Sequence, residues 1–497
     1  MKSFSIPKCL LAAAAPALLA GCISLGPDFK APEWDGPEAW SGDTTSTAVL
    51  PDGAPWWSVF NDPVLDALEA ELLAQNPSLA AAVARLDASA AALGMARAGW
   101  MPSVALSGSA SYDRQPGEKT DSNPDWYYKP GASLSWELDF WGRVRRSVEA
   151  AAADLAASEQ DLLDSRRLLA AQLASSYISL RTAQARLAYA RENVELQSDT
   201  LELVRSRCEA GLNPDLDLRQ AEMNLATTRA SIPSLEAEID SDLNSIAALV
   251  GAWPGSQEAL REPAPIPLPD EAALPAALPA DVLRNRPDVA AALHDFHAAV
   301  ARIGAAKAEM FPKVSINGSF AFSSNDTGDL FKTTSQSYSI GPSIEWPIFT
   351  AGKLRNQVRS YEASARAAEA NFRNAVLSAA AECESALSSR RAATAALGDL
   401  HDAVTAAGQA VDLVDTLYRN GLTDFQNVLS MQQQLASNQD SLAQGIGSAA
   451  DTLVGVWKSF AAPCTPPPPP SETEEPAEAA EPAAPETPAE PAPVPAE

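Results

Sequence analysis

Histidine and cysteine are scarce in this chain, at three and five among 497 residues, which leaves little from which to build a metal centre or a disulfide framework. Cys9 and Cys22 lie near the start, and Cys208, Cys383 and Cys464 are far apart. His294 and His297 share a helix face with Asp295 between them. With no further His or Cys nearby, they read as a solvated face in preference to a metal pair. Gly-rich phosphate loops and Gly-x-Ser-x-Gly elbows are missing, so no catalytic constellation emerges and an enzyme is not expected. Cations are short as well: 36 Lys and Arg against 64 Asp and Glu, a net charge of −28. That excludes the basic face on which nucleic acid binds. Long apolar runs are confined to the first twenty or so residues, so no membrane-spanning helix is expected elsewhere.

What is present begins at that apolar run. Lys2 and Lys8 precede Leu10 to Leu19, and the run closes on Leu19-Ala20-Gly21-Cys22. Residues 1–21 read as a secretory signal peptide, and the closing four residues resemble a lipobox, which implies cleavage before Cys22 and a covalent lipid on its thiol. Two or more acyl chains make a stable anchor. Ile23 is not the Asp associated with inner-membrane retention, so the outer membrane is the expected address. At the other end, residues 463–497 are rich in Pro and Glu and free of aromatics, a composition that predicts a disordered tail.

Leu134, Trp136 and Leu138 alternate with Ser135, Glu137 and Asp139, the period of a strand with one apolar face. After Gly142 an Ala-rich run continues without Gly or Pro to Gly211, which predicts a helix of about 65 residues, near 100 Å if continuous. A shift of 210 residues finds the same succession again. It carries Asn76-Pro77 onto Arg286-Pro287, Trp136 onto Trp346, Gly142 onto Gly352 and Gly211-Leu212 onto Gly421-Leu422. Two copies of one unit follow, each a helix, two strands of about ten residues, a long helix and a returning helix. The boundaries are a lipidated segment at 22–62, first repeat at 63–252, Pro-rich linker at 253–279, second repeat at 280–443 and C-terminal segment at 444–462. At the turns, Thr423 and Gln426 fit a capping box, and Asn213 suits an N-cap with Pro214 at the first helical position.

Strands of this length cross a bilayer when tilted. Four cannot close a barrel, and an open edge cannot face lipid, so the chain must oligomerise. Three protomers would give twelve strands and a pseudo-sixfold ring.

The segments ISLGPDFKAPEW and WWSVFNDPVLDALEAELLAQNPSLAAAVARLDAS, both Trp-to-Gly strand–helix junctions and the two Gly-Leu tips resemble the outer-membrane efflux lipoproteins of the NodT/OprM group, relatives of TolC. The resemblance spans roughly Gly26 to Phe460. It implies a mainly α fold with membrane β: a homotrimer whose twelve-stranded barrel continues into a long periplasmic α-barrel, with a collar formed by Trp253 to Pro279, Glu33 to Asn61 and Gln444 to Phe460. It further implies a passive exit duct for small toxic compounds in a tripartite pump. A periplasmic adaptor would dock at Gly211, Leu212, Gly421 and Leu422, beneath which stands an inner-membrane transporter of the resistance–nodulation–division type. Family members place acidic residues just after the tip turn, which makes Asp217 a candidate gate with Arg219 to offset its charge. Copy two departs from this, carrying Ser430 at the usual acidic position after Val428-Leu429. A protein-secretion outlet and a structural coiled-coil lipoprotein are the alternatives.

Overall fold

The structure is a computed structural model and describes residues 24–32, 40, 55–113, 125–269 and 279–461. Residues 1–23 with Cys22 among them, residues 33–39 and 41–54, the first strand loop at 114–124, residues 270–278 of the Pro-rich linker and residues 462–497 lie outside the described residues. Helices α1 (Pro63–Gln75) and α2 (Pro77–Ala98) lead into β1 (Ser103–Asp113) and β2 (Asp125–Leu138), then α3 (Arg143–Glu209) and α4 (Asp215–Leu249). The series recurs as α5 (Pro279–Asn285), α6 (Pro287–Ala308), β3 (Lys313–Phe322), β4 (Gln336–Glu345), α7 (Lys353–Arg419) and α8 (Phe425–Ser459). Each of α2, β1, α3 and α4 starts 210 residues before its counterpart α6, β3, α7 and α8, so the internal repeat extends to the elements themselves.

Local chemistry explains the boundaries. Asp62 accepts from Val64 N at 2.8 Å and Asn76 from Ser78 N at 2.7 Å, each followed by Pro at the first helical position, where a missing N–H costs nothing. Gly142 and Gly352 take φ of 77° and 85° before the long helices, a region closed to most side chains. The first residue pair of the repeat also has a structural duty. Asn76 Nδ2 donates to Leu249 O at 2.6 Å, and its counterpart Arg286 donates to Ser459 O at 2.8 Å. In each copy this residue thus satisfies a carbonyl at the end of the returning helix. Arg167 adds a bond to Lys458 O at 2.6 Å.

The four strands form one antiparallel sheet in the order β1-β2-β3-β4. The main core lies where α1 crosses the middle of α3 and the ends of α4 and α8, built from Trp56, Leu65, Leu72, Tyr177, Ile246 and Trp457. Cys208 and Cys383 are free thiols.

Four expectations are revised. The Thr423–Gln426 capping box does not form: α8 begins at Phe425, and the Thr423 hydroxyl instead accepts from Asn427 Nδ2 at 2.8 Å. Asn213 is not the cap of α4, which begins at Asp215; its amide is drawn to Asp217 and to Tyr418 across the hairpins. Finally, α2 is long and apolar enough to cross a membrane by composition. Alanine is the reason, and α2 lies along α3, with Leu79, Ala82 and Leu93 buried and Ser89 Oγ 2.7 Å from Ser158 Oγ. Residues 444–459, assigned by sequence to a separate segment, are continuous with α8.

Candidate duct wall and periplasmic tip

Register decides which side of the sheet is oily. Val104 opposes Leu134, which opposes Gly318, which opposes Ile340; one row away, Leu106, Ala132, Phe320 and Tyr338 stand opposite one another. Partners across a sheet share a face, so one face is apolar over all four strands. It is bare: Leu106 is 87 % exposed and Tyr338 80 %. The opposite face carries Ser133, Ser319 and Ser339 in one row, and Ser135 and Asn317 in the next. Its hydroxyls bond one another, Ser319 Oγ to Ser339 Oγ at 2.8 Å and Ser315 Oγ to Ser343 Oγ at 2.9 Å. One face therefore suits hydrocarbon and the other water, the alternation of a membrane barrel wall.

The two strand–helix junctions are built alike. Trp136 Nε1 donates to Trp100 O at 2.9 Å, and Trp346 Nε1 to Met310 O at 3.2 Å. Each indole keeps its polar edge satisfied while its body stays at the foot of the apolar face, as at a membrane interface. Just below, residues 25–29 are strapped onto the helices. Leu25 N donates to Trp141 O at 3.2 Å, Asp28 pairs with Arg146 at 2.6 Å, and Phe29 stacks on His297 with centroids 4.4 Å apart. Gly26 sits so close to Gly304 that a Cβ would lie 2.5 Å from its Cα. Four residues before Gly26 stands Cys22. His297 also bonds Glu149 at 3.1 Å, and among the described residues no three His, Cys, Asp or Glu side chains converge as a metal site.

At the far end each hairpin turns through Gly-Leu. Gly211 and Gly421 have φ of 72° and 73°, while Leu212 N and Leu422 N donate to Arg207 O and Leu417 O, both at 2.9 Å, the closing bonds of a Schellman turn. Leu212 and Leu422 project, 74 % and 72 % exposed. Beneath them Val204, Ala221, Val414, Tyr418, Phe425 and Val428 join the hairpins in one apolar cluster. Arg207 satisfies the last carbonyls of α7, donating to Tyr418 O at 2.9 Å and Arg419 O at 2.7 Å, with its guanidinium 4.6 Å above the Tyr418 ring. Asn213 Nδ2 donates to Asp217 Oδ2 at 2.7 Å and to Tyr418 Oη at 2.8 Å. Burial raises the Tyr418 hydroxyl pKa. The Asn213–Asp217 pair matches Thr423–Asn427, 210 residues on, where donor and acceptor exchange places and the charge is lost. Arg219 does not reach Asp217 within the protomer; it pairs with Glu222 at 2.8 Å. Sequence reasoning missed Arg207 and Tyr418, whose only signal was a cation near one helix end and an aromatic residue near the other.

A sheet with one lipid face and one water face, feeding paired 67-residue helices, defines a subunit of a membrane duct. The model of the family described as outer membrane efflux protein matches residues 68–252 and 278–459, and the chain belongs to that family. Nodulation protein T of Rhizobium leguminosarum bv. trifolii is 32% identical over 434 residues, covering 86% of this chain and 92% of that protein. The antibiotic efflux pump outer membrane protein ArpC of Pseudomonas putida is 30% identical over 462 residues, covering 91% and 95%. The solved outer-membrane channel OprN superposes with a TM-score of 0.82 at 32% identity, covering 89% of this chain and 99% of that one. The protein is an outer-membrane efflux channel with a TolC-like fold, in a family of ducts and not of enzymes.

Proposed function

We propose that this chain forms the passive homotrimeric outlet of a tripartite pump and carries small toxic compounds passed to it by a periplasmic adaptor and an inner-membrane transporter of the resistance–nodulation–division type. The observation that carries the reading is the two-faced sheet with both edges, β1 and β4, unpaired among the described residues. Such edges are tolerable in lipid only when another copy closes them. Cys22 bears the lipid anchor, three residues ahead of the strap at 25–29 that grips the barrel foot. The tips at Gly211-Leu212 and Gly421-Leu422 meet the adaptor, because their exposed leucines offer apolar contact where the hairpins end.

Asp217 narrows the duct at this end. In a trimer it forms a ring of three carboxylates, each oriented by Asn213, and the ring's repulsion is offset by a bound cation. Reconstituted protein should conduct in a planar bilayer, and Asp217→Ala should raise resting conductance several-fold and abolish block by divalent cations. A silent bilayer would leave a structural spacer; unchanged conductance and unchanged block in the variant would move the gate elsewhere.

A further inference from the structure

At the foot of the sheet, where β2 passes into α3 and α6 into β3, lies a cavity of about 320 Å³, at the lower end of the range for small-ligand sites. Its charged lining sets Glu137, Asp139, Glu309 and Glu345 against Arg143 and Lys313. Aromatic walls come from Trp141 and Phe311, whose ring centroids are 5.0 Å apart. Glu137 opposes Ser315, two residues from Lys313, which itself opposes Glu345. These side chains therefore stand on the serine-bearing face, and the cavity opens to water.

The internal repeat separates what such a junction needs as a fold from what this one adds. The second junction makes the same turn, with Gly352 in place of Gly142 and Trp346 bonded as Trp136 is. Its counterparts of Glu137, Asp139, Glu309 and Glu345 are nevertheless Pro347, Phe349, Gly99 and Ser135. Lys313 becomes Ser103, Trp141 becomes Ala351 and Phe311 becomes Met101; only Arg143 keeps its sign, as Lys353. The turn requires neither the carboxylates nor the rings.

One carboxylate engages both cations. Arg143 Nε and Nη2 donate to Glu137 Oε1 and Oε2 at 2.7 and 2.8 Å, and Lys313 Nζ lies 2.9 Å from Glu137 Oε2. The Glu345 side chain has no ion-pair or hydrogen-bond partner among the described residues, and that of Glu309 is met only by Gln357 Nε2 at 3.0 Å. The charge left for a ligand is thus negative. These carboxylates do not close on a point, since among the described residues no three His, Cys, Asp or Glu side chains gather as a metal site. Carboxylates spaced around aromatic rings suit an ammonium shielded by carbon, which gains from the π faces without the desolvation cost of a bare ion. We propose that this cavity receives monovalent organic cations with an aromatic or alkyl body as they move along the duct, and holds them weakly, as conduction requires. The proposal rests on the duct reading above and adds to it a class of cargo.

Benzyltrimethylammonium is the probe, with benzenesulfonate as its anionic counterpart, on the full-length protein carrying Asp217→Ala so that the tip carboxylates do not contribute. Saturation-transfer NMR of the detergent-solubilised protein should show binding of the cation and none of the sulfonate. Glu345→Gln and Phe311→Ala, both at exposed positions, should each weaken that binding by roughly threefold to fivefold. Phe311→Tyr, which keeps the ring face, should bind as the parent does. The same preparations in a planar bilayer report conduction independently. Binding unchanged in both variants, or shared equally by the sulfonate, overturns the cavity whatever the channel conducts. Binding with the expected losses in a protein that passes no current keeps the cavity and overturns the duct reading.

Discussion

Glu69 is the residue whose surroundings fit its chemistry least. It is fully buried in the main core, and neither carboxylate oxygen has a hydrogen-bond partner. Burial first, and Asp66 second, push its pKa well above the usual carboxylate range. Glu382 shows the contrast: burial alone would raise it, but Arg286 and Lys458 hold it below its ordinary value. The sign for Glu69 follows from linkage. Below the ordinary Glu pKa both folded and unfolded chains hold the proton, and no penalty arises. As pH rises past that value the unfolded chain releases it while the folded chain does not, so stability falls by about 1.4 kcal/mol per pH unit until the folded pKa is reached. Glu69→Gln should therefore raise the thermal midpoint at pH 8, with the difference from wild type vanishing near pH 4. A constant difference across that range would show that Glu69 is ionised in the fold. This position was legible in the sequence, since Leu65, Leu68, Glu69 and Leu72 keep the spacing of one helix face. The strap at residues 25–29 was visible only as part of a family resemblance, because Asp28 and Arg146 are too far apart along the chain for any local pattern to join them.

Among the elements, the hairpin tips yield the sharpest expectation. A Cβ built on Gly211 or Gly421 meets nothing within 4 Å, so the cost of substitution is all backbone. Replacing either with Val forces a β-branched residue into left-handed space at about 1–3 kcal/mol, reopens the Schellman turn and displaces the leucine beside it. The double variant Gly211→Val, Gly421→Val should lose most cross-linking to the adaptor and most efflux while retaining wild-type conductance in a bilayer. Intact cross-linking and efflux would remove the tips from the docking surface. The hairpins themselves were readable from composition: α3 holds neither Gly nor Pro over 67 residues, and the alternation in the strands matches the observed faces row by row. The caps were misplaced by one residue for a physical reason. The polar side chains of a first turn have several partners within reach, and Asn213 and Thr423 are each engaged by the residue four positions on, a choice that propensity does not encode.

For the whole molecule, anchoring and closure are separate functions. The strap grips α3 and α6 through residues 25–29, downstream of Cys22, the proposed lipid site, so Cys22→Ser should abolish fatty-acid incorporation yet leave a foldable protomer. Trimer recovered from outer membranes should fall without vanishing, and persistent acylation of the variant would show that Cys22 is not the lipid site. The length of α3 and α7 has a further consequence. Both contain 67 residues, and both hang from one sheet, so their ends come to rest at one level. A single residue inserted into α3 alone would lower that tip by about 1.5 Å and rotate everything beyond it by about 100°; a full extra turn would restore the facing but leave alternate tips more than 5 Å lower. A duct of this design can lengthen or shorten only through matched changes in both halves of the gene, so the depth of the compartment it crosses is recorded twice in the same chain.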